Sequence, residues 1–234
     1  MENDPARFRI LLVEDDQRLA DMVAEFLESS GFEVSTEHRG DVAVNAILRL
    51  RPDAVVLDVN LPGMSGFEVC QMVRSDYRGA IIMLTARGDE VDEILGLEFG
   101  ADDYIAKPVK PRVLLARLRS HLRRSQASLD EAGSPIVVGP LVVDPARRLA
   151  ELDGQAIDLT TAEFDLLQLL ADHAGHPLSR HEIYEHIHGM RYDSMDRSID
   201  LRISRLRKKL GDDPARPKRI KSVRGVGYML SVES

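Results

Sequence analysis

The chain has 234 residues, 44% apolar and 30% charged, with a net charge of −8, a length that accommodates two domains of ordinary size. No apolar run reaches the roughly 18 residues of a membrane span. The acidic, polar start Met1-Glu2-Asn3-Asp4-Pro5 lacks the basic and apolar regions of a secretory leader, so a cytoplasmic location with no membrane association is expected; the single cysteine, Cys70, excludes an internal disulfide and reads as core.

From Arg9 to Arg124, short apolar runs alternate five times with longer helical stretches. The runs are Ile10 to Val13, Phe32 to Ser35, Ala54 to Leu57, Ile81 to Leu84 and Tyr104 to Ala106. Three are continuously apolar, as strands buried on both faces of a parallel sheet must be. Gly31 and Gly100 stand where helices should stop, and Pro52 precedes the third run. The pattern predicts an α/β domain of doubly wound (βα)5 type over residues 1–124.

In open parallel sheets, ligands bind beyond the carboxyl ends of the strands. Glu14 and Asp15 follow the first run, Asp58 ends the third, Thr85 ends the fourth and Lys107 follows the fifth. Three carboxylates brought together repel one another unless a cation joins them, and an oxygen-only set with few protein ligands suits Mg²⁺, which keeps several waters. Lys107 supplies a second positive charge for the oxygens of an incoming phosphoryl group. Asp58 is then placed to attack phosphorus as a carboxylate nucleophile, giving an aspartyl phosphate. Singly, an Asp after a strand is more often a helix cap and a Lys before a proline a solvated loop residue; the reading rests on all of them occurring together, each at a strand end.

Residues 125–135 are small and polar without helical periodicity, and a flexible linker is expected there. Beyond it, Ile136 to Val143 and Leu149 to Leu159 read as strands, the latter turning at Asp153-Gly154. Thr160 with Glu163, and Ser179 with Glu182, are capping boxes that open two helices, each flanked by an apolar staple pair. A third helix runs from about Asp196 to Leu210 with Ile199, Ile203, Leu206 and Leu210 as its apolar stripe. The chain closes on Ile220 to Leu230, a hairpin with a glycine-rich tip. Charge is unevenly distributed: residues 1–135 hold 24 acids against 16 bases, whereas Asp196 to Arg224 holds 11 bases against 4 acids. Residues 136–234 therefore predict an α+β winged helix-turn-helix with a local basic patch suited to DNA.

The order Glu14-Asp15, Asp58, Leu61-Pro62-Gly63, Thr85-Ala86, Lys107-Pro108 resembles the receiver domain of two-component response regulators. Leu159-Thr160, Glu163-Phe164, Arg197 to Asp200, Arg205 to Lys209 and Val223 to Tyr228 are similar to the effector domain of the OmpR/PhoB family. Within that family, Ala106 to Arg117 and Tyr192 to Ser198 look most like the RstA and BfmR branch. The resemblance implies a flavodoxin-like receiver with strand order 2-1-3-4-5 and phosphorylation of Asp58 by a sensor histidine kinase. It also implies Mg²⁺ held by Glu14, Asp15, Asp58 and the main-chain carbonyl of Asn60.

The resemblance further implies that Tyr104 is a switch residue, rotating inward as Thr85 and Lys107 close on the phosphoryl group. A homodimer formed on phosphorylation is expected through Ile94, Leu97 and Leu115, with Glu98 facing Arg119 and Asp103 facing Arg117 across a two-fold axis. Glu93 and Val113 replace a basic residue and a glutamate that pair in many members, so one ion pair is missing from that surface. On the third effector helix, Arg202 and Arg205 are expected to read guanine edges and Leu201 a thymine methyl. Arg197, Lys208 and Lys209 are expected on phosphates, and the wing residues Ser222 and Arg224 on promoter DNA, Arg224 in the minor groove. The loop from His188 to Ser194 lies where this fold often meets RNA polymerase.

Two other readings are open to the same residues. A phosphatase with an aspartate nucleophile needs a second aspartate two residues on, where Asn60 stands. A constitutive DNA-binding regulator would not require the complete acidic pocket.

Overall fold

The computed structural model describes residues 7–85, 99–130, 134–189 and 198–232, with the backbone alone over 124–130. The chain divides into two compact units, Met1–Leu122 and Arg123–Ser234. No helix among the described residues is long and apolar enough to cross a membrane.

The N-terminal unit runs β1 (Arg9–Val13), α1 (Gln17–Ser29), β2 (Glu33–Glu37), α2 (Gly40–Leu50), β3 (Ala54–Asp58), α3 (Gly66–Val73), β4 (Ala80–Thr85), β5 (Asp103–Ala106) and α4 (Pro111–Asp130). The helix expected between β4 and β5 falls on residues outside those described. The strands form one parallel sheet of order β2-β1-β3-β4-β5, the doubly wound arrangement expected. β3 and β4 are buried along their whole length, which is why they are apolar up to the Asp58 and Thr85 that end them. Ile10, Leu12, Val56, Ile82 and Leu84 meet Leu27, Leu114 and Leu118 in the core on one face; each such side chain contributes about 1.5–3 kcal/mol on full burial.

Helix ends are set by side chains that satisfy orphan N–H groups. The Asp16 carboxylate accepts from the Arg18 and Leu19 amides at 3.0 and 3.2 Å and starts α1. Ser65 and Glu68 close a capping box on α3 that the sequence reading did not anticipate. Gly66 is required there, because a Cβ would collide with the carbonyl oxygen of Asp58.

The polar stretch read as a linker is helical as far as Asp130, a correction with a plain cause. It holds no glycine or proline before Gly133, so a helix already nucleated over Pro111–Leu122 propagates at little cost per residue.

The C-terminal unit has its own core, built from Leu141, Val143, Phe164, Leu167, Ile183, Ile203 and Leu206 among others. A four-stranded antiparallel sheet orders β6 (Ile136–Val138), β7 (Leu141–Asp144), β8 (Leu149–Leu152) and β9 (Gln155–Ala156). The run Ile136 to Val143 is thus two strands, turned at Gly139 with φ +57°. The helices are α5 (Thr161–Asp172), α6 (Arg180–His188) and α7 (Ser198–Lys209), and α5 and α6 open on the two expected capping boxes. β11 (Ile220–Val223) and β12 (Gly227–Leu230) form the terminal hairpin. β10 (Leu178–Ser179) adds a third strand, docked on Gly227, where a Cβ would meet the Leu178 carbonyl.

Candidate functional site

The parallel register carries Asp58, Thr85 and the residues after β1 and β5 to the same end of the sheet: Asp58 pairs with Leu84, and Thr85 with Ala106. The carboxylates of Glu14, Asp15 and Asp58 each offer an oxygen within 4.8 Å of the others. Glu14 and Asp58 are buried and Asp15 is exposed. Lys107 reaches in from the loop after β5, its Nζ 2.9 Å from Asp58 Oδ2 and 3.0 Å from Glu14 Oε1. Burial pushes the Glu14 carboxyl above its usual range, although the hydrogen bond from Lys107 opposes this. Burial would lower the Lys107 ammonium, but its hydrogen bonds to Glu14 and Asp58 outweigh that and raise it.

Thr85 is buried, and its Oγ1 has no hydrogen-bond partner among the described residues. A buried hydroxyl left without a partner costs about 1–3 kcal/mol, so its retention beside Asp58 marks a place for an oxygen-bearing group. The three carboxylates, oxygen donors only, fit a hard divalent cation. Asn60 is exposed directly after the buried Asp58-Val59 pair.

Tyr104 is buried in β5. Of the residues expected at a dimer interface, Ile94, Leu97 and Glu98 lie outside the described residues, as does Glu93. Leu115 is partly buried against the core and Arg119 is exposed. Asp103 and Arg117 are already in contact within the single chain. They pair at 2.6 Å, both buried, and His121 Nε2 stands 3.4 Å from the same carboxylate. Asp103 begins β5 while Arg117 lies two turns into α4, so the fold brings them together without a second copy.

The basic face of α7 differs from expectation. Arg202 is only 1% exposed. Its place one turn from both Ile199 and Leu206 puts it on the flank of the buried stripe, a phase that places Leu201, Ser204 and Lys208 outward instead. Arg205 is partly buried, its Nε 3.5 Å from Glu163 Oε1. Lys209 is tied down, its Nζ donating to Glu163 Oε2 at 2.6 Å and to the Asp158 carbonyl at 2.7 Å; the carboxylate of a capping box thus captures a lysine expected on phosphate. Lys208, Ser222 and Arg224 are exposed, with Gly225 at φ +76° turning the wing tip. Arg197 and residues 190–194 of the expected polymerase loop lie outside the described residues.

Two further features stand out in the C-terminal unit. Ser204 stands exposed on the outward face of α7 and could have been found by phasing the helix from Ile203 and Leu206. Arg180, Asp200 and Tyr228 join α6, α7 and β12: Arg180 Nε donates to Asp200 at 2.8 Å and the Tyr228 hydroxyl donates to the same oxygen at 2.6 Å. Their separations of 20 and 28 residues leave no local signal.

Residues 10–119 match the model of the response regulator receiver domain, and residues 154–230 that of the transcriptional regulatory protein C-terminal domain. The chain is 42% identical to the transcriptional regulatory protein RstA of Escherichia coli K12, over 95% of this chain and 97% of that protein. It is also 42% identical to the DNA-binding response regulator MtrA of Mycolicibacterium smegmatis, over 96% and 97%. Among solved structures it is similar to the response regulator DrrB, a Thermotoga maritima OmpR/PhoB homolog, with 34% identity, a TM-score of 0.53, and 97% and 100% of the two chains covered.

Proposed function

The chain belongs to the OmpR/PhoB-type response regulators, in which a receiver precedes a DNA-binding domain that regulates transcription, and from that premise we propose that Asp58 is its phosphoacceptor. A carboxylate oxygen of Asp58 forms a bond to phosphorus as the bond from phosphorus to the imidazole nitrogen of a kinase phosphohistidine breaks, the imidazole leaving. Glu14, Asp15, Asp58 and the Asn60 carbonyl would hold Mg²⁺, which supplies positive charge to the phosphoryl oxygens. Lys107, bridging Glu14 and Asp58, is in reach to exchange those carboxylates for a phosphoryl oxygen. The Thr85 hydroxyl, without a partner among the described residues, then gains one. That orphan hydroxyl beside a three-carboxylate, one-ammonium cluster is the observation that carries the reading.

Movement of Thr85 and Lys107 toward the phosphoryl group is coupled, in this proposal, to Tyr104 and to a homodimer in which Asp103 and Arg117 exchange their internal pair for one across the two-fold axis. Two effector domains then engage paired half-sites, the second contact being intramolecular. Leu201, Ser204 and Lys208 on α7 and Ser222 and Arg224 on the wing face promoter DNA. RNA polymerase is the further partner. Hydrolysis of the aspartyl phosphate resets the protein, which is a switch and not a turnover enzyme.

The test is binding to a genomic DNA library with and without a small-molecule phosphodonor and Mg²⁺, for the intact chain and for Asp58→Ala. Tighter binding to a repeated motif that needs both phosphodonor and Asp58 is the expected result. Specific binding indifferent to both would replace this reading with a constitutive regulator.

A further inference from the structure

The ladder between β1 and β2 ends at the pair Val13 and Glu37, one residue before the acidic pocket begins. Glu14 nevertheless has both of its main-chain polar groups engaged by the end of β2. Its N–H donates to the Glu37 carbonyl at 3.0 Å, and its carbonyl lies 2.8 Å from His38 Nδ1. A carbonyl oxygen can only accept, so Nδ1 carries the proton and His38 is the donor. In a parallel ladder the next rung at this carbonyl would come from a main-chain N–H of the partner strand; where the chain leaves β2 for α2, the imidazole provides that donor.

From this we propose that His38 is a positioning residue for the acidic pocket: by holding the Glu14 carbonyl, it fixes the peptide plane between Glu14 and Asp15 and so the two carboxylates that flank Asp58. The proposal rests on the reading of that pocket as a cation and phosphoryl site. Glu14 is already buried and bonded to Lys107, so its side chain has a second tether. Asp15 is exposed, and the peptide plane that His38 holds is its nearest fixed point. Partners hydrogen-bonded directly to metal-ligating side chains are typically worth 10–100-fold in affinity, and a hold on the ligands' shared peptide plane is expected at the lower end of that range.

The experiment measures Mg²⁺ binding to the intact chain by titration calorimetry for wild type, His38→Ala, His38→Asn and His38→Gln. It is accompanied by imidazole nitrogen NMR of the Mg²⁺-free protein and by thermal unfolding without Mg²⁺. Asn places its amide nitrogen where the imidazole has Nδ1, whereas Gln places it where Nε2 lies. Roughly tenfold weaker binding is expected for His38→Ala and His38→Gln, near-wild-type binding for His38→Asn, and unchanged unfolding temperatures. The wild-type ring should carry its proton on Nδ1. Equal affinity for wild type and His38→Ala, or equal weakening of the Asn and Ala variants, overturns the positioning role while leaving the pocket standing. A wild-type protein that binds no Mg²⁺ overturns the pocket itself, and with it any part His38 has in loading it.

Discussion

Lys107 holds two buried carboxylates that would otherwise repel each other, and its charge competes with any cation for the same oxygens. Lys107→Ala should therefore tighten Mg²⁺ binding while slowing phosphorylation by a small-molecule donor; calorimetry and a phosphorylation time course measure the two effects, and weaker Mg²⁺ binding would contradict the competition. In the other unit, burial and the hydrogen bond to Asp200 leave the Tyr228 phenol pushed up to about 12 from an ordinary 10.0. The neutral phenol is thus favoured in the folded state. Its contribution to stability is intact below pH 10 and is lost as the pH rises toward about 12. Denaturant midpoints of the wild type should fall across that window, and Tyr228→Phe should flatten the decline. Both residues illustrate what a sequence can and cannot display: Lys107 was legible because its neighbours all stood at strand ends, whereas Tyr228 reads only as part of a strand, its partner Asp200 lying 28 residues away.

Capping boxes were the most legible element signals, since a Thr or Ser and a Glu at fixed spacing have one local geometry that satisfies both. Thr160→Ala removes the hydroxyl that accepts from the Glu163 amide at 3.3 Å and should cost about 1 kcal/mol, read from urea unfolding of the C-terminal unit. Glu163 also holds Lys209, so the same variant tests whether the cap and the lysine are coupled. In α3, Gly66→Ala sets a Cβ against the Asp58 carbonyl. The resulting strain, of about 1–3 kcal/mol as for other overpacked sites, falls on Asp58, the proposed phosphoacceptor, and phosphorylation should slow roughly tenfold or more. An unaltered rate would mean that the loop between β3 and α3 yields without moving Asp58. The helical phase of α7 differs from expectation at this scale: Arg202, expected with Arg205 on the DNA-facing side, is placed by its spacing from Ile199 and Leu206 on the buried flank.

At the scale of the molecule, the two cores share no residue, and the basic patch lies wholly in the C-terminal unit. Mg²⁺ should therefore raise the unfolding temperature of the N-terminal unit and leave the other unchanged. Scanning calorimetry with and without Mg²⁺ checks this, and a shift of both transitions by the same amount would show that the units unfold together. The Asp103–Arg117 pair belongs to the same scale: closed inside one chain, it must open before either residue can serve a dimer, so Arg117→Ala should weaken phosphodonor-dependent self-association seen by sedimentation.

By itself the sequence determined the alternation of strands and helices, the capped starts of α5 and α6 and the placing of Glu14, Asp15, Asp58, Thr85 and Lys107 at strand ends, because periodicity, caps and strand-end chemistry act over a few residues; the strand order is what the resemblance to receiver domains implied. The tertiary structure alone decided which charges are free. Arg202, Lys209, Arg117 and His38 each carry a polar group whose partner, or whose burial, is set by segments distant in the chain. For a long or titratable side chain, the difference between a solvated surface and a satisfied interior contact lies in what packs against it, and no local pattern records that.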